Sequence, residues 1–146
     1  MLYDIHITEQ AFDPWQSLID YQKKSMQGRT DYGATATFVG TMRDFNAGDT
    51  VSSMTLEHYP AMTQKQLEKI VASCFSRWQL HNALIIHRVG KILPADPIVL
   101  VAVWSAHRAE AFDACRQLME DLKHQAPFWK NEALTTGDNR WVEKNT

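Results

Sequence analysis

Residues 83–104 read ALIIHRVGKILPADPIVLVAVW and contain two compact apolar runs, Ala83–His87 and Ile98–Trp104. Gly90 and the segment Pro94–Pro97 lie between the runs, and glycine and proline favour turns. Short runs rich in Ile and Val that are bounded by turn residues are typical of buried strands. We therefore predict two buried strands in this stretch.

A long helix is predicted on either side of these strands. Before them, apolar residues recur at helical spacing after Thr63–Gln66, a sequence that fits an N-terminal capping box. After them, a helix should begin near Ser105 and stop before Pro127, because proline disrupts a helix interior. Its last turn would contain Lys123 and His124, where positive charge suits the helix dipole.

The first 58 residues are predicted to contain strands and one short helix. Leu2–Thr8 alternates apolar and polar residues with period two, which indicates a half-buried strand. Pro14 follows Asp13 and suits the first position of a short helix. Tyr32–Met42 and Val51–His58 are predicted to form a hairpin with Arg43 near its loop end.

The order of the predicted elements decides the fold class. Phe128–Leu134 and Arg140–Glu143 should form a C-terminal hairpin around the turn residues 136–139. The whole order is strand, helix, two strands, helix, two or three strands, helix, hairpin, which favours α+β over doubly wound α/β. We predict one α+β domain over residues 1–146, a mainly antiparallel sheet with about three helices packed on it.

Charge and hydropathy exclude several classes of protein. The 146 residues have a formal net charge of −2, which argues against nucleic-acid binding through phosphate neutralisation. No stretch approaches the roughly 18 apolar residues of a membrane span, and the start lacks the pattern of a signal peptide. We expect a cytoplasmic protein that binds neither nucleic acid nor membranes.

The sequence supports neither a metal site nor the commonest nucleotide-binding and serine-hydrolase sites. His58 and His87 lack a second ligand at the spacing that metal sites use, so we interpret both as hydrogen-bonded structural histidines. The patterns GxGxxG, GxxxxGK[ST] and GxSxG are absent. Cys74 and Cys115 form no CxxC pair and lie on apolar helical faces, so a core position is favoured over a persulfide-carrying role.

Several basic residues lie where each could meet an anion. Arg43 follows a predicted strand, while His107 and Arg108 lie at the start of a predicted helix, whose N-terminus itself attracts anions. Lys123 has the simpler interpretation of a solvated lysine that complements the helix dipole. Lys130 follows the aromatic run Phe128-Trp129, and burial against rings would lower its pKa towards a useful acid-base range.

Taken together, the motifs of residues 33–143 resemble the large, catalytic subunit of molybdopterin synthase. The motifs that carry the resemblance are Gly40–Arg43, Leu56–Met62, Ile86–Gly90, Ser105–Arg108, Lys123–Lys130 and Arg140–Glu143. The resemblance implies a sulfurtransferase of molybdenum cofactor biosynthesis that converts cyclic pyranopterin monophosphate to molybdopterin and needs no cofactor. It also implies a small ubiquitin-like sulfur-carrier partner with a C-terminal Gly-Gly thiocarboxylate, and a homodimer within a heterotetramer.

The resemblance also assigns roles to individual positions. Lys123 and Lys130 match the catalytic lysines, which would also contact the substrate, polarise the thiocarboxylate carbonyl and move protons. The remaining positions match those that bind the pterin and its phosphate: Thr41, Met42, Arg43, His107, Arg108, Asn131 and Glu132. Arginine offers a fork of donors suited to phosphate oxygens.

Two other functions remain open at this point. One is a binding module that docks a ubiquitin-like tail or a phosphorylated metabolite without turnover, and the presence of both Lys123 and Lys130 argues against it. The other is a thiol-based sulfurtransferase that uses Cys74 or Cys115. Replacement of either cysteine by alanine would abolish turnover only in that second case.

The spacing of the basic residues predicts a site shared between two subunits. Arg108 and Lys123 are 15 residues apart on one predicted helix, which is about 22 Å along the axis at about 1.5 Å per residue. One small substrate cannot easily bridge that distance. We therefore hypothesise that His107 and Arg108 of one subunit face Lys123 and Lys130 of the other.

Overall fold

A computed structural model describes residues 2–142 of the chain. In chain order its elements are β1 (Tyr3–Thr8), α1 (Pro14–Ser25), β2 (Ala34–Thr41), β3 (Phe45–Asn46), β4 (Asp49–His58), α2 (Pro60–Arg77), β5 (Asn82–Arg88), β6 (Gly90–Ile92), β7 (Pro97–Ser105), α3 (Arg108–Gln125), β8 (Phe128–Leu134) and β9 (Asn139–Val142). The order matches the predicted one except for the two-residue strand β3, which was not predicted, and the α+β class is confirmed.

The first sheet has the strand order β1-β5-β7-β2 and is centred on the two apolar runs. Strand β5 is buried along its whole length and pairs antiparallel with β7, with Ile85 opposite Val101. The prediction of two buried strands is therefore confirmed. Strand β1 runs parallel to β5, and β2 closes the other edge antiparallel to β7.

The second sheet has the order β3-β4-β8-β9, and β6 also pairs with β4. Strands β8 and β9 form the predicted C-terminal hairpin, with Lys130 opposite Val142. Glu143, the last residue predicted for this hairpin, lies outside the described residues. The sheet brings the carboxyl end of the described chain back against β4, where Leu56 pairs with Lys130.

The predicted hairpin between Tyr32–Met42 and Val51–His58 is wrong. Both segments are strands, but β2 pairs with β7 in the first sheet and β4 pairs with β8 in the second. The chain leaves the first sheet after Thr41, and the small β3–β4 ladder takes the place of the expected hairpin. Arg43 consequently lies at the passage from one sheet to the other.

The three helices cover both faces of the first sheet. On one face, Leu67 and Ile70 of α2 and Leu118 of α3 pack against Ile85 and residues of β7. On the other face, α1 brings Tyr21 against Trp104, with ring centroids 5.0 Å apart. Full burial of a Leu or Ile side chain contributes about 1.5–3 kcal/mol, so these layers dominate the stability of the fold. None of the described helices is long and apolar enough to cross a membrane.

The observed starts of α2 and α3 differ from the predicted ones. Asp13 caps α1 through hydrogen bonds from the backbone N–H groups of residues 15 and 16, and Pro14 occupies the first turn as expected. Helix α2 begins at Pro60, so the capping box predicted at Thr63–Gln66 is wrong. Instead, the Thr63 hydroxyl donates to the Tyr59 carbonyl inside the first turn.

Helix α3 starts three residues later than predicted. Ser105 is the last residue of β7, and His107 takes the N-cap position with extended backbone. The end of the helix at Gln125 agrees with the prediction, as does the presence of Lys123 and His124 in its last turn. The two predicted core cysteines, Cys74 and Cys115, are both buried and free.

Candidate active site

A cavity of about 230 Å³ opens between the second sheet, the end of β2 and the last turns of α3. Six of the nine predicted site residues line it: Thr41, Met42, Arg43, Lys123, Lys130 and Glu132. His107, Arg108 and Asn131 are not among the lining residues in the described part of the chain. The cavity therefore unites predicted site residues from the end of β2 and the segment after it, from the end of α3 and from β8, and it leaves the start of α3 outside.

Backbone hydrogen bonds fix the segment that carries Arg43. The β2–β7 ladder shifts register between Gly40 and Thr41. Just beyond it, the Met42 N–H donates to the Asp96 carbonyl and the Ala95 N–H donates back to the Met42 carbonyl, at 3.0 and 2.8 Å. Since these bonds fix both the N–H and the carbonyl of Met42, the backbone reaches Arg43 in a defined direction.

An ion pair stabilises the loop around Asp96, which forms these hydrogen bonds with Met42. The Arg88 guanidinium lies 3.0 Å from the Asp96 carboxylate, which also accepts a hydrogen bond from the backbone N–H of Leu93. These hydrogen bonds, with burial opposing and the Arg88 charge assisting, hold the pKa of Asp96 below its usual value. The charge of Arg43 is placed over the Phe45 ring at 5.0 Å from its centroid, a cation–π geometry.

Lys123 and Lys130 enter the cavity from two different elements. Lys123 lies in the last turn of α3, and Lys130 lies on β8 with Leu56 and Val142 as its cross-strand neighbours. Burial is the main cause that lowers the pKa of Lys130, and the positive charges of Lys123 and Arg43 act in the same direction. The Glu132 carboxylate opposes the shift.

Glu132 is already engaged by protein groups. Its buried carboxylate accepts a hydrogen bond from Arg140 Nε at 2.9 Å and two from Asn46 Nδ2 at 3.2 and 3.1 Å. Arg140 also donates to the Asn46 carbonyl and to Asp49, each at 2.8 Å. This network ties β8 and β9 to the β3–β4 turn, so the carboxylate shapes the cavity wall.

His107 and Arg108 are exposed at the N-terminus of α3. A close backbone approach forms this corner: the Gly33 N–H donates to the Ser105 carbonyl, and a Cβ on Gly33 would clash with the Ala106 carbonyl. Arg108 and Lys123 both belong to α3, so the separation of about 22 Å along the axis holds in the structure. A single chain does not bring the two groups of cations together.

Sequence reasoning missed several groups that line the cavity, namely Phe38, Phe45, Asn46, His87 and Met119. Phe38 and Met119 belong to a predicted strand and a predicted helix, but no pattern in these elements marks them as site residues. His87 was interpreted as structural, and its hydrogen bond to the Arg88 carbonyl confirms that it is hydrogen bonded. Its place on the cavity wall, however, depends on the packing of Phe128, which no local pattern reveals.

The chemistry of the cavity is that of an anion site with a proton-transfer group. Three cationic side chains converge on it, and lysine with a lowered pKa supplies more neutral amine near neutral pH than an exposed lysine does. Burial raises the pKa of the Cys74 thiol to about 12 and that of Cys115 to about 11. Neither cysteine lines the cavity, so a thiolate nucleophile has no support in the described residues.

These features define an α+β protein with a cationic, aromatic-lined pocket built across two sheets. The family model described as MoaE protein matches residues 7–125. The chain belongs to the MoaE family. The match spans α1 to α3 and includes Arg43, Lys123 and the start of α3.

Individual relatives agree with this assignment. The chain is 57% identical over 116 residues to a molybdopterin synthase catalytic subunit of Ralstonia nicotianae, covering 80% of this chain and 65% of the relative. It is 48% identical to the protein of that name from Salmonella typhimurium, covering 95% of this chain and 92% of the relative. A solved structure described as molybdopterin biosynthesis MoaE protein from Burkholderia ambifaria superposes with a TM-score of 0.79 at 41% identity, covering 99% and 91%.

Proposed function

We propose that this chain is the catalytic subunit of a molybdopterin synthase, a sulfurtransferase that converts cyclic pyranopterin monophosphate to molybdopterin in molybdenum cofactor biosynthesis. The observation that carries the proposal is the shared cavity of Arg43, Lys123 and Lys130 in a chain of the MoaE family. Residues 1–146 act in it as one domain, and the enzyme works in the cytoplasm.

The sulfur donor is the C-terminal thiocarboxylate of a small ubiquitin-like partner subunit. A donor that brings its own sulfur explains why the two cysteines of this chain are buried with raised thiol pKa values. Under this proposal the lysines polarise the thiocarboxylate carbonyl and transfer protons as each sulfur adds and water leaves. Lys130 is the better proton-transfer group because its surroundings favour the neutral amine.

The phosphate of the substrate is bound by arginine, with Thr41 and Met42 as neighbouring binding positions. Arg43 is held by the braced backbone of the passage between the sheets, which fixes its donors before the ligand arrives. Glu132 and Asn131 remain proposed binding positions, although the engaged carboxylate of Glu132 favours a role in holding the wall.

The remaining two predicted residues, His107 and Arg108, are supplied by a second copy of the chain. This part of the proposal follows from their exposed position and from the helix length that separates them from Lys123. The working assembly is then a homodimer flanked by two partner subunits. Mixing inactive Arg108→Ala and Lys130→Ala proteins tests the shared site, because mixed dimers would contain one intact site and regain activity.

Single-turnover conversion tests the central proposal. Wild-type protein, the Lys130→Ala variant and a control variant Lys69→Ala are each mixed with thiocarboxylated partner and cyclic pyranopterin monophosphate. Lys69 is an exposed lysine of α2 outside the cavity, so its loss controls for removal of a positive charge. Dithiolene product from wild type and Lys69→Ala but not from Lys130→Ala supports the assignment. Binding of partner and pterin without product from wild type would instead establish a binding module.

A further inference from the structure

His87 forms part of the cavity wall at the end of β5. Its side chain is buried, and its ring stacks on Phe128 with centroids 4.2 Å apart and an interplanar angle of 20°. Phe128 and Lys130 are two residues apart on β8, so their side chains point to the same face of the strand. The imidazole therefore lies beside the lysine, with an aromatic platform next to it.

One hydrogen bond fixes which ring nitrogen carries the proton. His87 Nδ1 lies 2.8 Å from the Arg88 carbonyl oxygen, and a carbonyl can only accept. Nδ1 must therefore carry the hydrogen, which leaves Nε2 with a free lone pair in the neutral ring. Burial lowers the pKa of His87 to about 4, and the charges of Lys130 and His58 act in the same direction, so the ring stays neutral at physiological pH.

The lone pair is unusual in its surroundings. Arg43 and the protonated forms of Lys123 and Lys130 offer only donors to the cavity, and the Glu132 carboxylate is occupied by Arg140 and Asn46. Within residues 2–142, Nε2 of His87 makes no hydrogen bond to a protein group. The wall of a cavity rich in cationic donors thus includes a neutral imidazole whose tautomer is set in advance.

We infer that His87 is a substrate-binding residue whose Nε2 accepts a hydrogen bond from a ring N–H or a hydroxyl of the ligand. The inference rests on the proposed function, in which the ligand is a phosphorylated pterin. Arg43 then binds the phosphate end, and His87 with Phe128 binds the planar, donor-bearing end. An acceptor at this position distinguishes a heterocycle with N–H groups from a simple phosphate.

The test compares wild type with a variant that lacks the ring nitrogens of His87, and it measures the binding of two ligands to each protein. His87→Phe keeps a planar ring for stacking on Phe128 and removes the acceptor. Calorimetric titration with cyclic pyranopterin monophosphate should show affinity reduced about tenfold, as for the loss of one buried hydrogen bond. Affinity for inorganic phosphate should be unchanged. In turnover assays KM should rise by a similar factor while kcat at saturation changes little.

His58→Phe is the matched control. The His58 ring is tilted against Phe128 with centroids 6.0 Å apart, contacts the Thr63 hydroxyl, and is not among the residues that line the cavity. It should bind the pterin phosphate as wild type does. If His87→Phe folds poorly, nitrogen NMR of wild-type histidines gives the answer directly, because the lone-pair Nε2 resonance of His87 should move with pterin phosphate and stay with inorganic phosphate.

The outcomes separate this inference from the proposed function. Equal pterin affinity in His87→Phe and wild type, or an Nε2 resonance that ignores the pterin, overturns the role of His87 and leaves the enzyme proposal standing. A wild-type protein that binds pterin phosphate through His87 but forms no product overturns the enzyme proposal alone. No binding of pterin phosphate by wild type overturns both.

Discussion

The Glu132–Arg140 pair makes a quantitative prediction, because one partner is deeply buried and the other is partly exposed. The side chains are 8% and 29% accessible, and Arg140 donates to Glu132, Asn46 and Asp49. The substitution Arg140→Met keeps the apolar stem and removes all three hydrogen bonds. It also leaves the Glu132 carboxylate buried with only the Asn46 amide as donor.

Removing one member of a buried ion pair costs about 3–5 kcal/mol. Because water reaches the Arg140 side of this pair, we expect the lower end, about 3 kcal/mol in the free energy of unfolding. A chain of this length loses about 2–4 °C of melting temperature per kcal/mol, so Arg140→Met should melt about 6–12 °C below wild type. Urea unfolding followed by circular dichroism measures the free energy, and a thermal scan measures the midpoint.

A second substitution tests whether the unpaired charge of Glu132 causes this loss of stability. Adding Glu132→Gln to Arg140→Met removes the buried charge while its amide oxygen still accepts from Asn46, so the double variant should regain about 1–2 kcal/mol. The control Arg116→Met removes an exposed helical pair with Glu120 and should cost well under about 1 kcal/mol. A stability of Arg140→Met equal to that of wild type, or no recovery in the double variant, would refute the reasoning.

Three further predictions concern the lysine, the cysteines and the corner at α3. Burial favours the neutral amine, so NMR of methylated lysines should show Lys130 losing its proton at lower pH than Lys69, and Lys123→Met should raise the Lys130 pKa by removing a neighbouring charge. Because its pKa is lowered in the folded protein, protonated Lys130 opposes folding. Lys130→Met should therefore stabilise the protein at neutral pH. This gain in the free energy of unfolding should disappear as the pH rises to the pKa of a lysine in the unfolded chain. Cys74 and Cys115 should resist alkylation until the protein unfolds, and Cys74→Ala and Cys115→Ala should keep turnover, whereas an inactive but folded cysteine variant would contradict a partner-supplied sulfur. Gly33→Ala should lower the free energy of unfolding by about 1–3 kcal/mol in urea titrations, because its Cβ meets the Ala106 backbone, and an unchanged value would contradict the clash.

The local sequence pattern predicts which segments form strands and helices, but it does not predict which strands pair. Alternation and apolar runs identified β1, β5, β7 and the β8–β9 hairpin because strand faces follow from spacing two residues apart. The pairing of β2 with β7 instead of β4 depends on residues about 60 positions apart, as with Phe38 opposite Val101. Nothing within either strand encodes that choice, so the nearer partner was predicted wrongly.

The helix boundaries failed for a different reason. Thr63 fits a capping box, but Pro60 is also a good first residue of a helix, and α2 begins there. At α3, Ser105 is an acceptable cap, yet its backbone carbonyl is taken by Gly33 as part of the first sheet's edge. At α2 two local signals competed, and at α3 a contact distant in sequence overrode the local one.

Strand register is what turns Lys130 into a chemical group distinct from the lysines on the surface. On β8, Lys130 lies between Leu56 of β4 and Val142 of β9, two apolar neighbours that exclude water from one side of its stem. Asn131, one residue later, lies between Thr55 and Trp141. A slip of one residue would turn the lysine to the other face of the sheet and remove the main cause of its lowered pKa. The sequence identifies Lys130 as a candidate, but the pairing of β8 with β4 and β9 creates the buried surroundings that lower its pKa.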